Sequence, residues 1–203
     1  VAEIAVGLGK YIVDGGLALR FSPRHPDKVL QTSTLDLALR DTQTQLYALD
    51  LKDVDGGFKV DDGFNIKKIR VQDAAKNGSL RYMVSTFDPY DQVIRDSEYG
   101  NGRRVVTFAN VLQHKAFPLA EIIDFMLSEG EKEMRRPVEI EFAGCIDKHG
   151  ETKGNVYWLQ IRPIVDRKER LDEKIMHTSD DQLIMKTSNA LGHGMMDGVT
   201  DVV

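Results

Sequence analysis

Two short runs, Pro137–Ala143 and Val156–Pro163, constrain the fold more than any other part of the chain. Between them lies a polar stretch, Asp147–Asn155, that contains Gly150 and Gly154. Side chains alternate faces along a strand. Val138, Ile140 and Phe142 are therefore expected on one face, with Glu139 and Glu141 on the other. In the second run Tyr157, Leu159 and Ile161 form the expected apolar set, and Gln160 and Arg162 point away from it. Closure of the polar stretch near its middle predicts an antiparallel hairpin, with Glu141 across from Gln160 and Glu139 across from Arg162. Directly opposed residues on one face have Cβ atoms about 5 Å apart. The expected product is a face with two carboxylates, an amide and a guanidinium, backed by an apolar face. Carboxylate and amide oxygens suit a hard cation such as Mg²⁺, and the arginine fork suits a pair of phosphate oxygens. The same pattern also describes an ordinary surface hairpin, in which Glu–Arg cross-strand pairs are common.

The wording of the two strands separates these readings. Glu139-Ile140-Glu141-Phe142-Ala143 followed by Trp158-Leu159-Gln160-Ile161-Arg162-Pro163 resembles the end of the ATP-grasp nucleotide-binding domain of phosphoenolpyruvate synthases and pyruvate phosphate dikinases. A second segment supports the resemblance. Val6-Gly7-Leu8-Gly9-Lys10-Tyr11-Ile12-Val13-Asp14-Gly15-Gly16, followed by Leu17-Ala18-Leu19-Arg20-Phe21, is similar to the glycine-rich segment and short strand upstream of the hairpin in that family. Gly7 and Gly9 alone make no nucleotide fingerprint, because the third glycine, the preceding strand and the Gly-Lys-Ser/Thr ending are all missing. Lys10 stands where the family usually has Glu, and Glu139 where it has Asp.

The resemblance implies an α+β, ATP-grasp-like lobe with a mostly antiparallel sheet and packed helices. It implies that Glu141 and Gln160 help hold Mg²⁺ and the phosphates of ATP. Arg162 would contact the transferred phosphoryl group, and Glu139, Gly7 and Gly9 would border the nucleotide. It further implies a parent enzyme that passes a phosphoryl group from ATP, through a histidine on another domain, to pyruvate. The partners are then ATP, an N-terminal ATP-grasp lobe, a phosphohistidine domain and a pyruvate-binding barrel. Residues 1–165 correspond to the C-terminal portion of the nucleotide-binding domain, and 166–203 to a linker and the start of a following domain. The start at Val1 and the end at Val202-Val203 fit a piece of a longer protein that is inactive in isolation. Water dikinases and rifampin phosphotransferases carry a similar ATP domain, so the acceptor stays open, as does a non-catalytic regulatory or scaffold module.

Composition narrows the setting. A chain of 203 residues with 41% hydrophobic and 29% charged residues has the makings of a globular core. Its net charge of −5 argues against a dominant nucleic-acid-binding surface. No long uncharged apolar run or signal pattern is present, which predicts no membrane span and a cytoplasmic setting. Cys145 is the only cysteine, so it forms no internal disulfide; a small buried apolar role is expected for it.

Along the chain, apolar spacing predicts a helix over Ala2–Val13, ended by Asp14-Gly15-Gly16. Short strands are expected at Leu17–Phe21, Gln43–Asp50, Leu80–Thr86, Gln92–Arg95 and Arg103–Phe108. Turns are expected at Gly56-Gly57, Asp88–Asp91 and Gly100–Gly102. Ser33–Leu39 and Asn65–Val71 stay ambiguous. Pro118–Met134 is the clearest helix, with Leu119, Ile122, Ile123, Met126 and Leu127 in one stripe. His25, His114, His149, His177 and His193 show no metal-ligand spacing. His193 lacks the context of a phosphohistidine motif and reads as a loop residue. Lys67-Lys68 and Arg135-Arg136 read as solvated basic pairs.

Overall fold

The computed structural model describes residues 1–51, 63, 65–146, 154–164, 179 and 182. Gly56-Gly57, His149, Gly150, His177, His193 and, apart from Ser179 and Gln182, the segment 166–203 lie outside the described residues.

The first segment corrects the sequence expectation. Ala2–Ile4 is a strand, β1, and only Lys10–Val13 is helical, α1. Ala2, Ile4 and Val6 fit a period of two, whereas a helical stripe would take Ala2 with Ala5 and Val6; it is Ala2, Ile4 and Val6 that are buried. Pairing decides between the periods: β1 runs antiparallel to β2 (Leu19–Phe21), with Ala2 opposite Phe21 and Ile4 opposite Leu19. The ambiguous segment after residue 33 becomes a helix, α2 (Leu35–Arg40), because the Thr34 side chain caps it by accepting the Leu37 N–H at 3.3 Å.

β3 (Gln45–Leu49) and β4 (Ile66–Arg70) form a second antiparallel pair, so the other ambiguous segment is a strand. A short helix, α3 (Val71–Ala74), follows directly. The central sheet has β5 (Val84–Asp88) between β6 (Val93–Arg95) and β7 (Arg103–Val106). The strand expected from Leu80 begins only at Val84, because the N–H groups of Met83 and Val84 turn back onto the Leu80 carbonyl at 2.9 and 3.1 Å. After α4 (Ala109–Leu112) comes the long helix α5 (Leu119–Met134), preceded by Pro118. The chain then forms β8 (Val138–Ile146) and β9 (Gly154–Pro163). Among the described residues the architecture is α+β, with small antiparallel sheets and few helices.

A single apolar cluster joins these pieces. It runs from Ile4, Val6 and Phe21 through Leu46 and Val71 to Val84, Val106, Leu112, Leu119 and Ile123. α5 contributes its stripe to this core and lays its C-terminal half over one face of the β8–β9 hairpin. Gly130 permits that approach: a Cβ there would meet Ile161 Cδ1 at 2.7 Å and Val138 Cγ2 at 3.1 Å. The opposite hairpin face is left outward.

One polar side chain sits deep in the core. Gln43 is 2% exposed; its Oε1 accepts the Val6 N–H at 2.8 Å, and its Nε2 donates to the carbonyls of Val6 (2.8 Å) and Gln45 (2.9 Å). Gln43→Leu keeps the volume but strands the Val6 N–H and carbonyl. A loss of about 2–4 kcal/mol is expected in urea unfolding. A change below about 0.5 kcal/mol would show that the backbone finds other partners.

Candidate functional site

The hairpin has the register that strand alternation predicts at its base. Glu139 lies opposite Arg162 and Glu141 opposite Gln160. Ile140 faces Ile161 and Val138 faces Pro163 on the side covered by α5. Arg162 Nε donates to Glu139 Oε2 at 3.1 Å, and its Nη2 reaches Glu139 Oε1 at 3.3 Å and Glu141 Oε1 at 3.4 Å. The guanidinium thus bridges both carboxylates, more tightly to Glu139. The hydrogen bond that Arg162 donates to Glu139 is the main cause, and the charges of Glu139 and Glu141 the further ones, that push the Arg162 pKa above its already high ordinary value. All four polar side chains are exposed.

Beyond Glu141 the pairing departs from simple alternation. A β-bulge between Glu141 and Phe142 sets Phe142 opposite Trp158, so that Leu159 is the extra residue. The expected apolar set of Tyr157, Leu159 and Ile161 is therefore wrong in two of three members. Val156 and Trp158 take the α5 side, whereas Tyr157, opposite Ala143, turns to the polar face and is 55% exposed. Cys145 is likewise corrected. It shares the parity of Glu139 and Glu141 along β8 and is exposed, not buried.

The donor chemistry of this face matches Mg²⁺ in kind. Glu141 and Gln160 present a carboxylate and an amide from directly opposed positions, and both are hard oxygen donors. Two protein oxygens leave most of an octahedral shell to phosphate and water, as Mg²⁺ sites commonly do. Among the described residues no cluster of three or more His, Cys, Asp or Glu side chains could hold a metal by itself.

Gly7 and Gly9 lie elsewhere. Gly7 adopts φ +93°, and a Cβ on it would come within 2.7 Å of the Tyr47 carbonyl, where Leu8 N–H already donates at 3.0 Å. Gly7 is thus required for packing on β3. Gly9 precedes α1, with open space around it. Lys10 pairs with Asp14 one helical turn later, at 3.2 Å.

Sequence reasoning missed a second polar cluster. Tyr47 Oη donates to Asp14 Oδ2 at 3.0 Å, and the ammonium groups of Lys10 and Lys68 lie 5.9 and 5.6 Å from the Tyr47 ring centre. Pairing of β3 with β4 makes the Tyr47–Lys68 neighbourhood foreseeable; the arrival of Asp14 from α1 carries no local signal. His114 Nε2 lies 2.9 Å from Asp96 Oδ2, while Ser85 donates to Asp96 Oδ1 at 2.9 Å. Ser85 has no solvent exposure, so this chain of contacts ties the β5–β7 sheet to the segment after α4 and offers no accessible nucleophile.

Charge reversal tests the hairpin face. Arg162→Glu sets carboxylates directly opposite one another, which disfavours pairing, and the thermal midpoint should fall by a few degrees. Adding Glu139→Arg restores an opposed pair and should recover most of the loss. An unchanged midpoint in R162E would mean that this cross-strand contact contributes nothing measurable. Comparison of the chain with protein-family models, with curated proteins and with solved structures finds no match in any of the three.

Proposed function

We propose that this chain is the C-terminal part of an ATP-grasp nucleotide-binding domain in a dikinase-type phosphotransferase resembling phosphoenolpyruvate synthase or pyruvate phosphate dikinase. The observation that carries the reading is the juxtaposition of Glu139 with Arg162 and Glu141 with Gln160 on one exposed hairpin face. These are the four positions to which the family resemblance assigns metal and phosphate contacts.

Electrostatics supports a metal-linked ligand over a bare phosphate. Glu139 and Glu141 together outweigh Arg162 by one negative charge, so a metal-free polyphosphate meets net repulsion. Glu141 and Gln160 would hold Mg²⁺, which would supply the missing positive charge and charge neutralisation for phosphoryl transfer. The protein's share is positioning. Glu141 and Gln160 hold oxygen donors at a fixed cross-strand spacing. Arg162, charged whatever its neighbours, turns its fork to phosphate oxygens once they replace the Glu139 contact. Phosphoryl transfer asks for this arrangement and for little covalent chemistry from the protein.

In the complete parent protein, labelled ATP and pyruvate should yield labelled phosphoenolpyruvate, and Arg162→Ala should cut that turnover by about two to three orders of magnitude. Full turnover in R162A would overturn the assignment of Arg162. Label transfer to another acceptor would retain the domain reading and replace pyruvate. The isolated 203-residue chain should form no phosphoenolpyruvate by itself.

A non-catalytic nucleotide-binding lobe is the second reading. It is favoured by Lys10, which occupies the position of a family carboxylate and is committed to a local ion pair with Asp14. Nucleotide binding by the parent protein without transfer to any acceptor would select it.

A further inference from the structure

The second polar cluster borders an open cavity of about 330 Å³, on elements other than the hairpin. One wall is α1 and the turn after it, with Tyr11, Asp14 and Leu17; the other is the β3–β4 sheet, with Gln45, Tyr47 and Lys68. The volume is at the lower end of the range for small-molecule sites.

Charge in this cavity is unevenly matched. Asp14 is satisfied twice, by Lys10 at 3.2 Å and by the Tyr47 hydroxyl at 3.0 Å. Those two hydrogen bonds, Lys10 first, hold its carboxyl below the usual range. The charge of Lys68 acts on the same carboxylate more weakly. Lys68 differs: no carboxylate lies within ion-pairing distance of it among the described residues, and its ammonium rests near the Tyr47 ring. Its neighbour in sequence, Lys67, pairs with Asp50, and Arg70 on the same strand pairs with Asp73. Among the described residues lining or bordering the cavity, Lys10 and Lys68 together thus outweigh Asp14 by one positive charge. The exposed Gln45 side chain, opposite Arg70 in the β3–β4 register, adds a neutral amide donor.

The remaining walls are aromatic and aliphatic. Tyr11 and Tyr47 pack edge to face, with ring centres 6.4 Å apart, and Leu17 is half exposed beside them. Tyr11 spends its hydroxyl on the backbone as acceptor of the Leu17 N–H at 3.2 Å. Tyr11 is only 8% exposed, so its ring backs Tyr47 and leaves Tyr47 and Leu17 as the apolar surface open to a ligand.

We propose that this cavity is a binding site for a small monocarboxylate with a planar, apolar body. The carboxylate pairs with Lys68 and accepts from Gln45, and the body lies against Tyr47 and Leu17. A single surplus cation matches a monoanion better than a phosphate dianion, and an aromatic wall matches a flat hydrocarbon better than a sugar. The site is independent of the phosphotransfer reading, since it uses none of the hairpin residues.

Benzoate is the probe, titrated into the full chain and followed by amide and side-chain NMR shifts, with neutral benzamide as its isostere. Benzoate should saturate, with shifts concentrated around Lys68, Gln45 and Tyr47, and benzamide should bind at least about tenfold more weakly. Lys68→Gln, an exposed change that leaves the core untouched, should weaken benzoate about tenfold and leave benzamide unaffected. Asp14→Asn releases Lys10 from its partner and should strengthen benzoate several-fold, an effect that a purely structural role of the cluster would not give. Equal benzoate affinity in native protein and K68Q would overturn the proposal, as would failure of benzoate to saturate at millimolar concentration.

Discussion

Three of the four sheets among the described residues are two-stranded pairs, too small to be stable alone, and the fold therefore depends on what knits the sheets together. Apolar contact supplies most of the adhesion, but it does not fix direction. The Gln43 amide does. From a fully desolvated position it satisfies the Val6 N–H and both the Val6 and Gln45 carbonyls. Those atoms belong to the end of the β1 segment and the start of β3, which are also joined by the Leu8 N–H donating to the Tyr47 carbonyl. The next residue along, Gly7, then descends onto the Tyr47 carbonyl at a distance closed to any residue with a Cβ. Position and identity of Gln43, Gly7 and Tyr47 are thus one constraint. The orientation of α1, and with it the wall carrying Asp14 and Tyr11, follows from it.

The second fixed relation is between α5 and the hairpin. A glycine in the middle of a helix costs about 1 kcal/mol of helix propensity relative to alanine. At Gly130 that cost is offset by contact, because Ile161, Val138 and Trp158 crowd the space where a side chain would stand. With the apolar side of the hairpin pressed on α5, the carboxylate–guanidinium side must face outward. Its exposure is a consequence of packing on the other face, not an independent feature.

How much of this was legible follows from the range of each signal. The base of the hairpin was readable because strand alternation is a local, period-two pattern, and Glu139, Glu141, Gln160 and Arg162 kept it. The bulge at Leu159 was not, since inserting one residue leaves composition unchanged and only inverts the faces beyond it. Tyr157 and Trp158 exchanged sides for that reason. At the N-terminus Ala2, Ile4 and Val6 keep a period of two while Ala2, Ala5 and Val6 keep a helical spacing, and the presence of β2 as a partner selects the strand. Gln43 looked like an unremarkable polar residue at the start of a strand. Its role rests on contact with Val6, 37 residues earlier in the chain, which no local pattern encodes.

The two polar surfaces differ in the sign of what is left over. On the hairpin, two carboxylates share one guanidinium, and an incoming anion must bring a cation with it. In the cavity beside α1, Lys10 and Lys68 outweigh Asp14 among the described residues, so an anion there would need no accompanying cation. Salt acts on both surfaces because both are exposed and the Debye length at physiological ionic strength is about 8 Å. It screens repulsion at the first and attraction at the second. Rising salt therefore weakens carboxylate binding at Lys68 while it relieves the barrier to a metal-free phosphate on the hairpin. The two surfaces can be told apart by that opposite response even before either ligand is named.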